Sequence, residues 1–114
     1  MKTETKLMDL ISEYENALEE KLRCDIESTE SETALSDYVQ EMSECVMKDP
    51  ERYGLPIGSN PARYVVFFVV KSQNEYRKLL KKRNDSKIKL LRAINNVKII
   101  EMKIEVEKCL VQRC

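Results

Sequence analysis

The chain has 114 residues, 20 Lys and Arg against 20 Asp and Glu, and therefore no formal net charge. It contains no His, which removes His-based general acid–base chemistry, His-containing metal sites and Ser-His-Asp or Cys-His nucleophile systems. Its 2 Gly and 3 Pro, with 35% charged and 42% hydrophobic residues, suit long helices better than a turn-rich sheet.

From Thr5 onward, Leu7, Leu10, Ile11, Tyr14, Ala17, Leu18 and Leu22 recur at three- and four-residue steps, with charges on the other face. This spacing predicts an amphipathic helix to about Arg23. The pattern lapses over Cys24-Asp25-Ile26-Glu27-Ser28-Thr29-Glu30-Ser31, where a turn is expected. Ser28 or Ser31 would then cap a second helix. That helix carries Ala34, Leu35, Tyr38, Val39, Met42, Cys45 and Val46 on a narrow stripe behind an acidic solvent face.

Both glycines and all three prolines lie between Lys48 and Pro61. Asp49-Pro50 reads as an N-cap followed by a first-turn proline, and Gly54 as a left-handed terminator. Ser59-Asn60-Pro61 repeats the start signal. From Ala62 to about Val111 no Gly or Pro follows, which predicts one long helix of about 50 residues. Tyr64-Val65-Val66-Phe67-Phe68-Val69-Val70 is rich in β-branched and aromatic residues, yet no other segment alternates as a partner strand would. A helix covered on every side is expected there, by the first two helices or by another subunit.

Further on, Tyr76, Leu80, Leu90, Ile94, Val97, Ile104 and Val111 form a seam that also takes in Arg83, Lys87, Glu101 and Lys108. A seam interrupted by arginine and lysine is not that of a continuous leucine zipper. Past Asn95 the apolar residues alternate as well as they spiral, and helix is retained.

Cys24, Cys45, Cys109 and Cys114 are separated by 21, 64 and 5 residues, none a metal-ligand spacing. They read as reduced residues: Cys45 and Cys109 on helix faces, Cys24 beside a helix end, Cys114 at a frayed terminus. The longest apolar run, Tyr64 to Val70, has seven residues, far short of a bilayer span. Met1-Lys2-Thr3-Glu4-Thr5-Lys6 lacks the apolar core of an export signal. A cytoplasmic location is expected.

Zero net charge conceals a division. Residues 1–54 hold 6 basic and 15 acidic side chains, a net −9, and residues 55–114 hold 14 basic and 5 acidic, a net +9. The densest basic run is Arg77, Lys78, Lys81, Lys82, Arg83, Lys87, Lys89 and Arg92, broken by Asp85 alone among the acids. It admits three readings: pairing with the acidic helices, phosphate binding along a nucleic-acid strand, or attraction to a membrane surface. Few aromatics interleave it apart from Tyr76, so a strand would be bound through its backbone, with little base stacking. A Gly-rich phosphate loop and a Cys-x-x-Cys pair are both missing, and the carboxylates spread over helix faces, so an enzyme, a metal site and a cofactor are not expected.

Asp49-Pro50-Glu51-Arg52-Tyr53-Gly54-Leu55, a proline-led start, a hydrophobic turn, Asn74-Glu75-Tyr76-Arg77 and a long charged helix together resemble a group of small helical proteins of tailed bacteriophages. The likeness covers about Lys48 to Leu110. In size and architecture that group is similar to the UvsY type of recombination mediator. The resemblance implies an oligomeric protein of an infected bacterial cytoplasm that binds single-stranded DNA and assists a recombinase against single-strand-binding protein.

The expectation is an all-α chain of two short acidic helices and one long basic helix, hairpin or coiled-coil-like. Residues 1–48 would form an acidic helical hairpin, 49–61 a Pro/Gly turn and 62–114 the long basic helix, within one domain. A homo-oligomer is expected because so small a chain cannot cover so long a helix. The functional expectation is a non-enzymatic accessory factor binding single-stranded DNA non-specifically through Arg77, Lys78, Lys81, Lys82, Arg83, Lys87, Lys89 and Arg92. The alternative is a helical adaptor in which acidic and basic faces meet only each other.

Overall fold

The computed structural model describes residues 2–56, 58 and 60–113, with side chains from Thr5 onward. All regular structure among them is helical: α1 (Lys2–Lys48), a 3-10 turn (Pro50–Tyr53), α2 (Arg63–Lys71) and α3 (Asn74–Arg113). The all-α expectation holds, while two element boundaries differ.

The turn expected over residues 24–31 is absent, and α1 runs through it. What lapses there is side-chain size and not the repeat. Leu10, Ala17, Cys24 and Ser31 follow one another at seven-residue intervals, as do Ser28 and Leu35, and all six are buried. Two interleaved sevens make a continuous 3-4 seam, so the helix has a covered stripe throughout. Without Gly or Pro, small polar residues lower helix propensity only modestly. Ser28 and Ser31 are therefore seam residues and not caps, and Cys24 lies inside a helix.

The single helix expected from Ala62 to Val111 is divided at Ser72 and Gln73. Ser72 Oγ donates to the Val69 carbonyl at 2.6 Å and Gln73 Nε2 donates to the same carbonyl at 3.1 Å. These side chains compete with the backbone for the last acceptors of α2, and local bonds of this kind end helices without Gly or Pro. The Gln73 carbonyl then accepts from the Arg77 amide, starting α3.

The Pro/Gly segment behaves largely as its composition suggests. Pro50 opens the 3-10 turn, and Gly54 closes it at φ 82°, donating its amide to the Glu51 carbonyl at 3.0 Å. A side chain is disfavoured at that φ, which explains glycine there. Asp49 makes no side-chain cap bond, and the residue preceding α2 is Ala62, also without one. Ser59 and Cys114 lie outside the described residues.

The chain forms two compact units. The first joins the start of α1, through Ser28, to α3 from Ser86 onward. Lys6 pairs with Glu107 at 3.1 Å, Tyr14 with Glu101 at 2.9 Å and Glu27 with Lys89 at 3.6 Å. Partner numbers fall as α1 advances, so the two stretches are antiparallel. Leu10, Ala17, Val97, Ile100 and Ile104 form the buried cluster, flanked by Leu7 and Tyr14. On α3 the buried positions are Ser86, Ala93, Val97, Ile100, Ile104 and Glu107, with Leu90 and Ile94 half-buried. Lys87, Glu101 and Lys108, expected in the seam, are exposed.

The second unit is Thr29–Asp85. Its core is Val46, Val66, Val69 and Val70, with Tyr38, Val39, Met42, Tyr53, Leu55 and Tyr76 packed around it. The apolar run at residues 64–70 is helical as expected but covered on one face only. Val66, Val69 and Val70 point into the core, whereas Tyr64 and Phe68 are 77% and 76% exposed.

Candidate nucleic-acid interface

The eight residues of the basic run all lie on α3, five in the second unit and three in the first. In the second unit Arg77, Lys78, Lys81 and Lys82 are exposed. They occupy two successive turns at i, i+1, i+4 and i+5, an arc of about 140° at 100° per residue. The apolar side chains opposite them, Leu79 and Leu80, are half-buried, as is Tyr76 against the valine core. The amphipathic register of α3 thus presents four cations together to solvent.

Arg77, Lys78 and Lys81 form no ion pair among the described residues, so three of those cations keep their full capacity for phosphate oxygens. Lys82 has a protein partner. Arg83 stands apart from these four. It is half-buried at a seam position, its Nη2 donates to Asn84 Oδ1 at 3.1 Å, and its Nε is buried with no hydrogen-bond partner among the described residues. Arg83 also lines an open groove of about 990 Å³ with Leu35, Val39, Val66, Phe67 and Arg63.

In the first unit Lys87, Lys89 and Arg92 are exposed. Lys89 Nζ lies 3.6 Å from Glu27 Oε1, and Lys87 also has a protein partner. Arg92 makes no ion pair among the described residues. The basic run is thus part pairing surface and part open cationic surface.

Sequence reasoning missed the exposed aromatics. Tyr64 and Phe68 are four residues apart on one face of α2, in the same unit as the four exposed cations, and Arg63 and Lys71 flank them at the helix ends. A 64/68 spacing opposite a 66/69/70 core stripe was the available signal. Elsewhere titratable groups shift for structural reasons. Tyr14 is raised chiefly by donating its hydroxyl hydrogen to the Glu101 carboxylate, and Cys24 is raised by burial first and by Glu20 second. Tyr38 is raised by burial and then by Glu75.

Among the described residues no group of His, Cys, Asp and Glu is arranged to hold a metal ion, and no helix is long and apolar enough to cross a membrane. Neither a protein-family model, nor a characterised protein, nor a solved structure matches this chain.

Proposed function

We propose that the chain is a non-enzymatic accessory factor that binds single-stranded DNA without sequence preference. The observation that carries this reading is the exposed set Arg77, Lys78, Lys81 and Lys82, of which three are without ion-pair partners among the described residues. Phosphates are bound by clustered cations on an accessible surface, and an arginine or lysine already committed to a carboxylate contributes less. Lys87, Lys89 and Arg92 would add contacts from the first unit, and Arg83 would shape the groove beside it. Tyr64 and Phe68 support a single strand over a duplex, because only unpaired bases offer their faces to an aromatic ring. A mediator role in phage recombination, with a recombinase or single-strand-binding protein as partner in the bacterial cytoplasm and a homo-oligomeric state, completes the proposal.

The adaptor reading is favoured by one observation, the pairing of an acid of α1 with a cation of the basic run on α3 at Glu27–Lys89. The two readings part on charge reversal of Arg77, Lys78, Lys81 and Lys82 to Glu. Nucleic-acid binding predicts a folded chain with its assembly state unchanged and its affinity for a labelled oligonucleotide lost. Loss of assembly or folding, with oligonucleotide binding never present in the parent, would establish the adaptor reading instead.

A further inference from the structure

The first unit carries two apolar stripes that its own core does not use. On α1 these are Met8, Ile11, Leu18, Leu22 and Ile26; on α3 they are Ile88, Leu91, Ile99, Met102 and Val106. Each set falls within an arc of about 80° at 100° per residue, outside the buried seam that joins the two helices. The exposures are large: Met8 71%, Leu22 60%, Leu91 65% and Met102 68%. Single exposed apolar residues need no explanation, but five in register along a helix make a second seam.

The charges beside these stripes identify what covers them. Glu15 lies within the α1 stripe and Glu19 and Asp25 border it; of the two flanking cations, Arg23 is held by Glu20 at 2.9 Å and Lys21 is half-buried. The α3 stripe is bordered by Arg92, Lys98, Lys103 and Arg113, and the nearest acid, Glu105, lies 3.7 Å from Lys108. Across the unit, residues 1–28 carry 4 basic and 8 acidic side chains, net −4, and residues 86–114 carry 7 and 3, net +4. Like stripes brought together would repel, whereas unlike stripes attract along their whole borders.

We infer that the outer stripe of α1 docks on the outer stripe of α3 from a second copy of the chain. This gives the assembly part of the proposed function its surface and is independent of nucleic-acid binding. A groove of about 700 Å³ in the first unit, lined by Ile99, Met102 and Val106 with Leu10 and by charged side chains of both signs, borders the α3 stripe. The contact closes as a two-fold dimer, with α1 of each copy on α3 of the other, or as a ring in which it passes from copy to copy.

Sedimentation velocity on the full chain tests this with two charge-reversed variants. One carries Glu15→Lys, Glu19→Lys and Asp25→Lys; the other carries Lys98→Glu and Lys103→Glu. The parent is expected to sediment as an assembly, and each variant alone to dissociate at least ten-fold more readily. An equimolar mixture should reassociate, since each variant's altered stripe then meets a complementary one. Recovery on mixing cannot come from a misfolded variant, and circular dichroism of each confirms its helices. A monomeric parent, or variants that assemble as the parent does, would overturn the proposal. A third variant, Leu91→Ser with Met102→Ser, should dissociate without any change of charge. Anisotropy of a labelled single strand, recorded on the same samples, separates the two proposals. Assembly without binding removes the nucleic-acid reading alone, and binding by a monomer removes this interface alone.

Discussion

Tyr14 donates its hydroxyl hydrogen to Glu101 Oε1 at 2.9 Å, joining residues 87 positions apart in the chain. With Lys6–Glu107 on one side and Glu27–Lys89 on the other, it sets the register of the antiparallel pair that makes the first unit. The bond also raises the tyrosine pKa above its ordinary 10.0, because the neutral phenol is the donor and its anion would face a carboxylate. A pKa raised by folding stabilises fully below the ordinary value and is lost as pH rises through the folded one. The thermal midpoint is therefore expected to fall on raising the pH above about 10, and Tyr14→Phe to flatten part of that fall. Melting curves of both proteins across alkaline pH check this; identical slopes would show that the bond has no weight.

Cys24 is buried in the α1 seam, and its thiol donates to Glu20 Oε1 at 3.5 Å. Burial first and neighbouring carboxylate second raise its pKa above 9.0, so the reactive thiolate is suppressed at neutral pH. Cys45 and Cys109 are exposed. Peptide-resolved alkylation at pH 8 should label Cys45 and Cys109 at least ten-fold faster than Cys24. Equal rates would place Cys24 at an exposed position such as a helix end.

Lys6 and Glu107 are unequal partners, with side chains 66% and 8% exposed. Removing the lysine leaves a covered carboxylate at a seam position without its counter-charge. Lys6→Ala is expected to cost about 1 kcal/mol, moderated by the lysine's exposure. Glu107→Leu, which removes the charge and fills the seam, should stabilise by about 1 kcal/mol. Urea unfolding of both variants measures the asymmetry, and equal losses would mean that the pair acts as a simple surface bridge.

Continuity of α1 can be tested at Ser28. In a helix interior, proline removes a hydrogen bond and clashes with the preceding turn, at a cost of about 3 kcal/mol or more. Ser28→Pro should therefore lower stability severely and reduce helical circular dichroism. A turn at residues 24–31 would accept the same proline with little change.

These residues also mark how far the fold can be read before it is seen. Large apolar residues at three- and four-residue steps reveal helices at Leu7 to Leu22 and Leu35 to Val46, and Pro50 with Gly54 reveals the turn between α1 and α2. Cys24, Ser28 and Ser31 continue the same repeat, but with side chains that hydropathy does not count, so their burial appears only when helices are packed. The division at Ser72 and Gln73 depends on two side-chain bonds to one carbonyl, and no residue there is a helix breaker by type. For the basic run, composition shows the charge but not its allocation. Arg83 and Lys81 are alike in charge, and only the seam register separates the half-buried one from the exposed one.

The central claim is that the open cations of α3 bind single-stranded DNA, and the salt dependence of that binding tests it most directly. Fluorescence anisotropy of a labelled single strand, with duplex of equal length alongside, should show tight binding at low salt that favours the single strand. If Arg77, Lys78, Lys81 and Lys82 each neutralise one phosphate, log K should fall against log salt with a slope of about −3. Absence of binding at low salt, or an affinity indifferent to salt, would contradict the claim and leave α3 as the counter-charge to α1.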